Sequence, residues 1–408
     1  MVVKTHSIGR RRLRVVLHTR PCFLDQVLSM APSLAELCDL HIVLEVAPES
    51  RSDNLLVGAR QLQKGERPNG RHYLLEQLGV SAMRPLDTVC GIHMTVSSSV
   101  HSTSPSSVQE GLRAGLVIRR LRPDVVHFND LGLRTLPVLW SLSTLPIVLS
   151  VHDLEAHPGD DSWRTRVSRM SAIRIARQIV THNGPQTPLF AKRNGIETAR
   201  VTVVPLGAYD VFQALTPDVI PNPQLVAFVG RLDMYKGLDV LADAAPLVVR
   251  ACPSVEFIVA GGPVRGYRPR VPELPGSATY RVVSRRLSNQ ELGQLVARAR
   301  TIVLPYVQAT QSGVLMVAAA LGTPVVSTAV GGLKDYVANG QAGLVVSPGD
   351  AEGTAEAITR MISDNALHAK LSASMTQAAR SSLSWQRPAE LLIDVYQRAM
   401  QSASSLGR

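Results

Sequence analysis

The residues best suited to chemistry in this chain of 408 residues are Arg231 and Lys236, which lie five positions apart in one loop. The apolar run Leu225–Val229 predicts a buried strand before them, and apolar periodicity predicts a helix over about 238–249. Gly230 lets the backbone turn tightly where the strand ends. A guanidinium and an ammonium beside a helix start can together neutralise a diphosphate without a metal ion. A single cation in such a loop is more often a solvated surface charge, but the pair favours phosphate binding.

A second strand–loop–helix unit lies between Thr301 and Thr328. We predict strands over 301–304 and 325–328 and a helix over about 314–321, which ends at Gly322 in a left-handed conformation. Such a unit sets a helix start beside the carboxyl end of a parallel sheet, where open α/β folds bind ligands. The groups predicted there suit a phosphate or a sugar: Thr310, Gln311, Ser312, Gly313 and Val314. The alternative is an ordinary turn of a βαβ unit.

Polar residues also occupy the ends of two predicted strands in the N-terminal half. One group, after 147–151, is His152, Asp153 and His157, and the other, at the end of 125–127, is His127, Asn129 and Asp130. A histidine at a strand's carboxyl end can hydrogen-bond a sugar hydroxyl or assist a proton transfer. For the second group, hydrogen bonds that merely order the loop are the alternative. We predict no metal site, because no third well-spaced ligand is evident and Asp-x-Asp is absent from the sequence.

The order of predicted elements favours an α/β protein with parallel sheets. Helical patterns separate several strand candidates of the N-terminal half, which are 13–17, 40–45, 125–127, 147–151, 179–181 and 201–204. The Ser/Thr-rich stretch Thr95–Ser107 and the Pro-rich stretch Gly261–Gly276 are predicted loops. We expect the linker between two domains near Gln213–Pro223, where prolines interrupt helix and strand.

Composition agrees with a two-domain enzyme. The length allows two full cores, and a hydrophobic content of 45% excludes a mainly disordered chain. Aromatic residues make up only 4%, which argues against platforms that stack nucleic-acid bases. The four cysteines show no metal-ligand spacing, and we expect them to stay reduced in a cytosol: Cys22, Cys38, Cys90 and Cys252.

The chain is strongly basic, with a formal net charge of +11 and a sequence pI near 9.9. Four arginines recur at roughly helical spacing and predict a basic stripe on an amphipathic helix: Arg166, Arg169, Arg174 and Arg177. Contact with anionic lipid headgroups and a solvated helix face both explain such a stripe. Neither a signal peptide nor a transmembrane span is predicted, so we expect a cytoplasmic protein, peripheral to the inner face of the membrane if the stripe binds lipid. No nucleic-acid partner is predicted.

Several segments, in order along the chain, resemble the sequence pattern of glycosyltransferase family 4. In the C-terminal half they are Val203–Gly207, Phe228–Ala244, Gly322–Asp350 and Leu383–Ala399, and in the N-terminal half Asp124–Asp130, Val151–Gly159 and Thr181–Pro185. The resemblance implies the GT-B fold of two facing Rossmann-like, doubly wound domains. It implies an acceptor domain over 1–210, a nucleotide-sugar domain over 211–384, and a helix over 385–408 that crosses back to the N-terminal domain.

The same resemblance implies a reaction. A sugar would move from a nucleotide-sugar donor to a hydroxyl of a glycan, a lipid-linked or a small-molecule acceptor, in polysaccharide, glycolipid or glycoconjugate biosynthesis. Retention at the anomeric carbon is implied, without a metal or other cofactor. We assign the diphosphate to Arg231, Lys236 and the helix start at Ser312 and Gly313, and the donor side of the cleft also to Gly207 and Gly230. The acceptor side falls to His152 and Asp153, with His127, Asn129, Asp130 and His157 around them.

One departure from the family pattern affects the donor. Most members carry two glutamates eight residues apart, at the positions of Ala309 and Val317 in this chain. In the family the first helps to hold the donor sugar and the second the ribose hydroxyls. Two alternatives therefore stay open: a non-catalytic subunit that binds a nucleotide sugar, and a GT-B-like epimerase that converts a nucleotide sugar without an acceptor.

Overall fold

Two parallel β-sheets, one in each half of the chain, organise the protein. The computed structural model describes residues 11–48, 54–56, 59–60, 62, 66, 68–97, 99, 101–154, 163–264, 266–337 and 342–405. Every strand pairing in both sheets is parallel, and helices connect most successive strands. The predicted α/β class and two-sheet architecture are confirmed.

The N-terminal sheet has seven strands. They are β1 (Arg14–Thr19), β2 (Asp39–Val46), β3 (Gly91–Val96), β4 (Val125–Phe128), β5 (Ile147–Val151), β6 (Gln178–Thr181) and β7 (Val201–Val203). The helices of this half are α1 (Leu24–Leu37), α2 (Gly70–Met83), α3 (Pro105–Arg120), α4 (Leu136–Ser141), α5 (Trp163–Ile175) and α6 (Thr187–Arg193). Side chains alternate across a sheet, so successive residues of a strand belong to different apolar clusters. In β1, Val15 and Leu17 lie in one cluster and Val16 lies in the other.

The C-terminal sheet has six strands. They are β8 (Asn222–Val229), β9 (Glu256–Ala260), β10 (Thr279–Val283), β11 (Ala299–Leu304), β12 (Val325–Thr328) and β13 (Gly343–Val346). The helices from the link onward are α7 (Val211–Leu215), α8 (Leu238–Ala251), α9 (Asn289–Arg298), α10 (Gly313–Leu321), α11 (Leu333–Val337), α12 (Ala351–Ser363), α13 (Asn365–Arg380) and α14 (Gln386–Ser405).

The strand orders identify where each sheet can bind a ligand. The N-terminal order is β3-β2-β1-β4-β5-β6-β7, and the C-terminal order is β10-β9-β8-β11-β12-β13. Each order reverses direction once, between β1 and β4 and between β8 and β11. In open α/β sheets the crevice beyond the carboxyl ends of the strands at such a switch point binds ligands. Gly230 and Arg231 directly follow β8, so the predicted diphosphate loop lies at the C-terminal switch point.

Two expectations about the N-terminal half were wrong. Strand β3 was not predicted, and it pairs with β2 at the edge of the sheet. The predicted loop Thr95–Ser107 overlaps the end of β3 and the start of α3, whose first turn is capped by the Ser104 side chain. The sequence Gly91–Val96 mixes His93 and Thr95 with apolar residues, as a half-buried edge strand does, and so lacks the continuous apolar run of the inner strands.

The last helix crosses back to the N-terminal half, as predicted. Helix α14 packs against α1 and against β4, β5 and β6. The Tyr396 hydroxyl lies 2.9 Å from His127 Nδ1, and both side chains are buried. Just before this helix, Trp385 Nε1 donates to the Ala208 carbonyl at 2.7 Å. These buried bonds fix the second crossing between the two halves.

Candidate active site

A cavity of about 540 Å³ opens between the two halves at the end of β8. Its lining includes seven of the residues predicted for the donor: Gly230, Arg231, Lys236, Gln311, Ser312, Gly313 and Val314. Cys22 and Asp25, from the chain around the start of α1, line it from the N-terminal half. Its volume falls within the range of sites that hold small molecules and cofactors.

Glycines allow the predicted diphosphate loop (residues 230–237, the phosphate loop) to pack closely against its neighbours. Gly230 has φ 142°, and its N–H donates to the Ala260 carbonyl at 3.0 Å. Gly237 has φ 66°, and any Cβ there would collide with the Pro305 carbonyl oxygen. Val307 N–H also donates to the Tyr235 carbonyl at 2.9 Å. The loop that carries both cations is therefore pinned to the chain that follows β11.

Lys236 is directed towards the cavity by aromatic rings. Its Nζ lies 3.7 Å from the centroid of the Tyr306 ring and 4.8 Å from that of Tyr235, within range of cation–π attraction. Burial lowers the pKa of Lys236, the nearby Tyr235 opposes that shift, and the charge of Arg231 adds to it. Two cations held close together in a partly desolvated site gain most when an anion enters.

The start of α10 supplies the other polar groups of this wall. Ser312 caps the helix by accepting from Leu315 N–H at 3.4 Å, and its Oγ lies 3.2 Å from the Tyr306 hydroxyl. Gln311 lines the cavity, and its Oε1 is buried with no hydrogen-bond partner among the described residues. An orphaned buried acceptor is costly, so a ligand hydroxyl that donates to it would be favoured.

Thr310 differs from its neighbours in the predicted donor group, because it is not among the residues that line this cavity. Its carbonyl accepts from Asn183 Nδ2 at 2.7 Å and from Gly332 N–H at 3.3 Å. Asn183 follows β6 in the N-terminal half, so Thr310 links the two halves. The structure thus gives the Thr310 carbonyl a bond between the two halves, and contact of Thr310 with the donor stays a prediction.

Gly207 also has another role than the predicted one. It is absent from the lining of this cavity, and a Cβ at Gly207 would lie 2.7 Å from the Trp385 ring. The group that approaches the backbone of Gly207 in the structure is therefore an indole. The family segments Val203–Gly207 and Leu383–Ala399 meet at this contact.

The two positions that carry glutamates in most family members differ in their surroundings. Val317 is buried and lines the cavity, while Ala309 is buried and does not. An isopropyl group therefore occupies the wall where the family pattern has a carboxylate for ribose. A carboxylate that lines the cavity comes instead from the N-terminal half, where Asp25 lies in the first turn of α1.

The predicted acceptor-side histidine His152 is buried and neutral, and neither it nor Asp153 is among the residues that line this cavity. Its Nε2 donates to the Asn129 carbonyl at 2.6 Å, and its ring stacks on Phe23 with centroids 3.9 Å apart. Burial, followed by the neighbouring His182, lowers the pKa of His152 to about 3. This imidazole can accept a hydrogen bond through Nδ1, but with that pKa it is a poor general base at neutral pH.

Asp153 and Asp130 lie at the strand ends, as predicted, and both are half-buried. The charge of Asp153 is close enough to Lys236 to raise the lysine's pKa, although the two residues belong to different halves. The Asp153 carbonyl accepts a bond from Arg169, and Asp130 forms an ion pair with Arg20 after β1. Of these residues, Asp153 is the one whose charge reaches the phosphate loop.

His127 and Asn129 are core residues and not acceptor ligands. His127 is 1% exposed, with Nε2 2.8 Å from Ser150 Oγ and Nδ1 bonded to Tyr396 of α14. Burial lowers its pKa to about 3. Asn129 is also 1% exposed and bonds to His18 and His152 through its backbone. These contacts agree with the loop-ordering alternative for the pair, and His157 lies outside the described residues.

Several cavity residues were missed by sequence reasoning. From the N-terminal half these are Cys22 and Asp25, and from the C-terminal half Tyr235, Tyr306, Arg286 and Asn289. Tyr235 stands inside the phosphate loop and Tyr306 two positions after β11, so proximity to a strand end could have suggested both. No local signal marks Cys22 or Asp25, because they reach the cavity only when the two halves meet.

The predicted basic stripe on α5 is interrupted. Arg166 and Arg174 are exposed, but Arg169 turns inward to the Asp153 carbonyl. Within the part of the chain that the structure describes, no helix is long and apolar enough to cross a membrane. Those same residues contain no cluster of three His, Cys, Asp or Glu side chains arranged to hold a metal ion.

Comparison with known proteins agrees with this geometry. The glycosyl transferases group 1 model matches residues 223–364, and the glycosyltransferase family 4 model matches 85–209. Glycogen synthase of Mycobacterium tuberculosis is 29% identical over 307 residues, which are 70% of this chain and 72% of that protein. A D-inositol 3-phosphate glycosyltransferase of Corynebacterium aurimucosum is 28% identical over 285 residues, which are 65% of this chain and 67% of that protein.

Solved structures share the whole architecture. Sucrose-phosphate synthase of Thermosynechococcus elongatus matches with a TM-score of 0.59 and 18% identity, over 95% of this chain and 100% of that one. Anabaena HepE in complex with UDP-glucose matches with a TM-score of 0.57 and 16% identity, over 96% and 100%. At such identities the likeness shows the GT-B fold. With two family models matching different halves in order, the chain belongs to the group 1 glycosyltransferases of family 4.

Proposed function

We propose that the protein transfers a sugar from a nucleotide-sugar donor to an acceptor hydroxyl, with retention and without a metal ion. The observation that carries this proposal is the cavity wall of Arg231, Lys236 and the start of α10. Two cations and free backbone N–H groups at a helix start form a site for a diphosphate. UDP is the first nucleotide to test, because HepE is solved with it.

The chemical role of this wall is to stabilise the leaving group. When the bond between sugar and diphosphate breaks, negative charge grows on the departing phosphate oxygen. Lys236 and Arg231 then interact with a larger charge than in the intact donor, and only such differential binding accelerates the reaction. Burial of Lys236 strengthens the effect, because water screens the charges less.

On the acceptor side, His152 and Asp153 would orient the attacking hydroxyl. The low pKa of His152 makes this imidazole unsuited to taking the hydroxyl proton. We therefore assign the proton to the leaving phosphate, with attack on the same face of the sugar. Such a reaction needs no protein base, and cations that hold the phosphate beside the acceptor are its main requirement.

Calorimetric titration tests donor binding, and transfer from the matching labelled sugar nucleotide tests turnover. We expect one of UDP, GDP, TDP and ADP to bind, and Lys236→Ala to weaken that binding. Lys370→Ala is the matched control, because Lys370 is exposed on α13, away from the cavity lining. If no nucleoside diphosphate binds, or if Lys236→Ala binds it as the native protein does, the proposal is wrong.

The two alternatives from the sequence predict different products. The substitution of a family glutamate by Val317, which lines the cavity, is the observation that keeps them open. A non-catalytic subunit would bind the donor and never consume it, whatever acceptor is supplied. An epimerase would convert the donor sugar with no acceptor present. Chromatography of the sugar nucleotide after incubation with and without acceptor separates the three cases.

A further inference from the structure

Three neighbouring helices of the N-terminal half carry an exposed apolar face that the donor cavity does not use. Six of the sixteen large hydrophobic side chains that are exposed in the described residues belong to α3, α4 and α5. They are Val108, Leu112 and Leu116 on α3, Trp140 on α4, and Val167 and Met170 on α5. We call this set the α3–α5 face. Such a concentration of apolar surface marks an interaction site more often than chance exposure.

The spacing within each helix puts these side chains on its outer side. Val108, Leu112 and Leu116 are four residues apart and so form one line along α3. Leu116 is 55% exposed and Trp140 54%, while Ala114 and Ile118 on the inner side of α3 are buried in the core. The six side chains are between 39% and 55% exposed and so present apolar surface to the solvent.

Close packing joins the three helices into one surface. A Cβ at Gly115 of α3 would collide with Ser141 Oγ of α4, and one at Gly111 would lie 3.0 Å from Pro137 Cβ. Arg119 donates from α3 to the Ser141 carbonyl, which ties the two helices together. Helix α5 packs against α4. Helix α4 thus joins α3 and α5 into one layer, and all three helices begin at the edge of the sheet that holds the strand ends.

The charge around this face is positive. Arg113 and Arg120 on α3 and Arg174 on α5 are exposed, and the stretch 163–177 contains arginines but neither Asp nor Glu. The acidic residue of α3, Glu110, is half-buried and accepts from Ser97 Oγ at 2.7 Å. An apolar centre with arginines beside it matches a bilayer surface, where acyl chains lie beneath anionic headgroups.

We propose that the α3–α5 face docks the protein on a bilayer of anionic lipid. The apolar side chains would enter the headgroup region while the arginines contact lipid phosphates. A two-fold dimer through this face fits less well, because it would bring the same arginines against one another. Docking does not depend on the proposed function, and the two are tested separately.

Cosedimentation of the full chain with vesicles tests this proposal. We expect binding to vesicles of phosphatidylglycerol and phosphatidylcholine in equal parts to exceed binding to phosphatidylcholine alone at least tenfold. The double variant Leu112→Glu/Leu116→Glu should lose at least tenfold in binding. Arg113→Glu/Arg174→Glu should lose the preference for the anionic lipid. Val80→Glu is the matched control, because Val80 is 71% exposed on α2, outside the face.

Three outcomes would overturn the proposal. The first is equal or absent binding to both kinds of vesicle, and the second is undiminished binding by the Leu112→Glu/Leu116→Glu variant. The third is a dimer in light scattering that the same variant dissociates, which would assign the face to a second copy of the chain. Thermal melts and nucleotide titration of each variant separate loss of docking from loss of folding or of donor binding.

Discussion

The two walls of the interdomain cleft are built on opposite electrostatic principles. The C-terminal wall presents cations, Arg231 and Lys236, on a loop that glycines pin to the sheet. The N-terminal wall is ordered by buried imidazoles, His127, His152 and His182, whose pKa values burial lowers to about 3, 3 and 4. The cations of the C-terminal wall can meet a diphosphate, whereas the imidazoles behind the N-terminal wall stay neutral, and the charges on that side come from the carboxylates Asp25 and Asp153. This difference separates the leaving-group role from the acceptor role in the proposed reaction.

Acid should affect the N-terminal wall first and most strongly. The three histidines are neutral in the folded protein, but in the unfolded chain they take up protons below a pKa near 6.5. The free energy of unfolding that is present above pH 6.5 is therefore lost as the pH falls towards 3. Each histidine should reduce the free energy of unfolding by about 2 kcal/mol at pH 5. Urea titrations at pH 7.5 and pH 5 measure this loss. His182→Asn, which keeps a donor for the Val204 carbonyl, should remove about a third of it. Equal stability at the two pH values would contradict the neutral wall.

Removal of the cation at the C-terminal wall should mainly affect turnover. Lys236→Ala should lower the rate of sugar transfer by about 10² or more, because the departing diphosphate loses a buried charge partner. Its free energy of unfolding should not fall, since a desolvated lysine is removed. Steady-state kinetics and urea unfolding together check both parts. A transfer rate within threefold of the native protein would remove Lys236 from the mechanism.

Rigidity of the phosphate loop is tested at Gly237. Gly237→Ala imposes a left-handed conformation on an alanine and a collision with the Pro305 carbonyl, so we expect a loss of at least about 1–2 kcal/mol in the free energy of unfolding. Gly276 has a similar φ of 68°, but a Cβ there would meet no atom within 4 Å. Gly276→Ala therefore measures the cost of the left-handed conformation alone. If both variants lose the same free energy of unfolding, the close packing of Gly237 against the Pro305 carbonyl does not hold the loop.

The smallest effect is expected where the last helix meets the neutral wall. Tyr396→Phe removes the hydroxyl beside His127 Nδ1 and should lower the free energy of unfolding by about 1 kcal/mol. Donor binding should stay unchanged, because neither residue lines the cavity. Nucleotide titration of this variant checks the second part, and a large loss of affinity would show that the walls are coupled.

Local chain chemistry explains why most residues predicted for the donor lie together in one cavity. Short sequence signals mark these residues within a few positions of a strand end. After β8 the signal is Gly230 followed by Arg231 and Lys236, and after β11 it is the capping Ser312 at the start of α10. Edge strand β3 was missed because its mixed polarity gives no apolar run.

Sequence alone determined the two parallel sheets, the position of Arg231 and Lys236 after a strand end, and the resemblance to a known family, because these depend on periodicity and short motifs. Only tertiary structure decided that His127 bonds to Tyr396, that Gly207 lies against Trp385, and that Asp25 joins the cavity. Those contacts join residues far apart in the chain, and they form only when the two domains and the last helix assemble. A strand end in the sequence specifies where a residue lies relative to the sheet, whereas burial and neighbouring groups decide whether its side chain faces a cavity or the core.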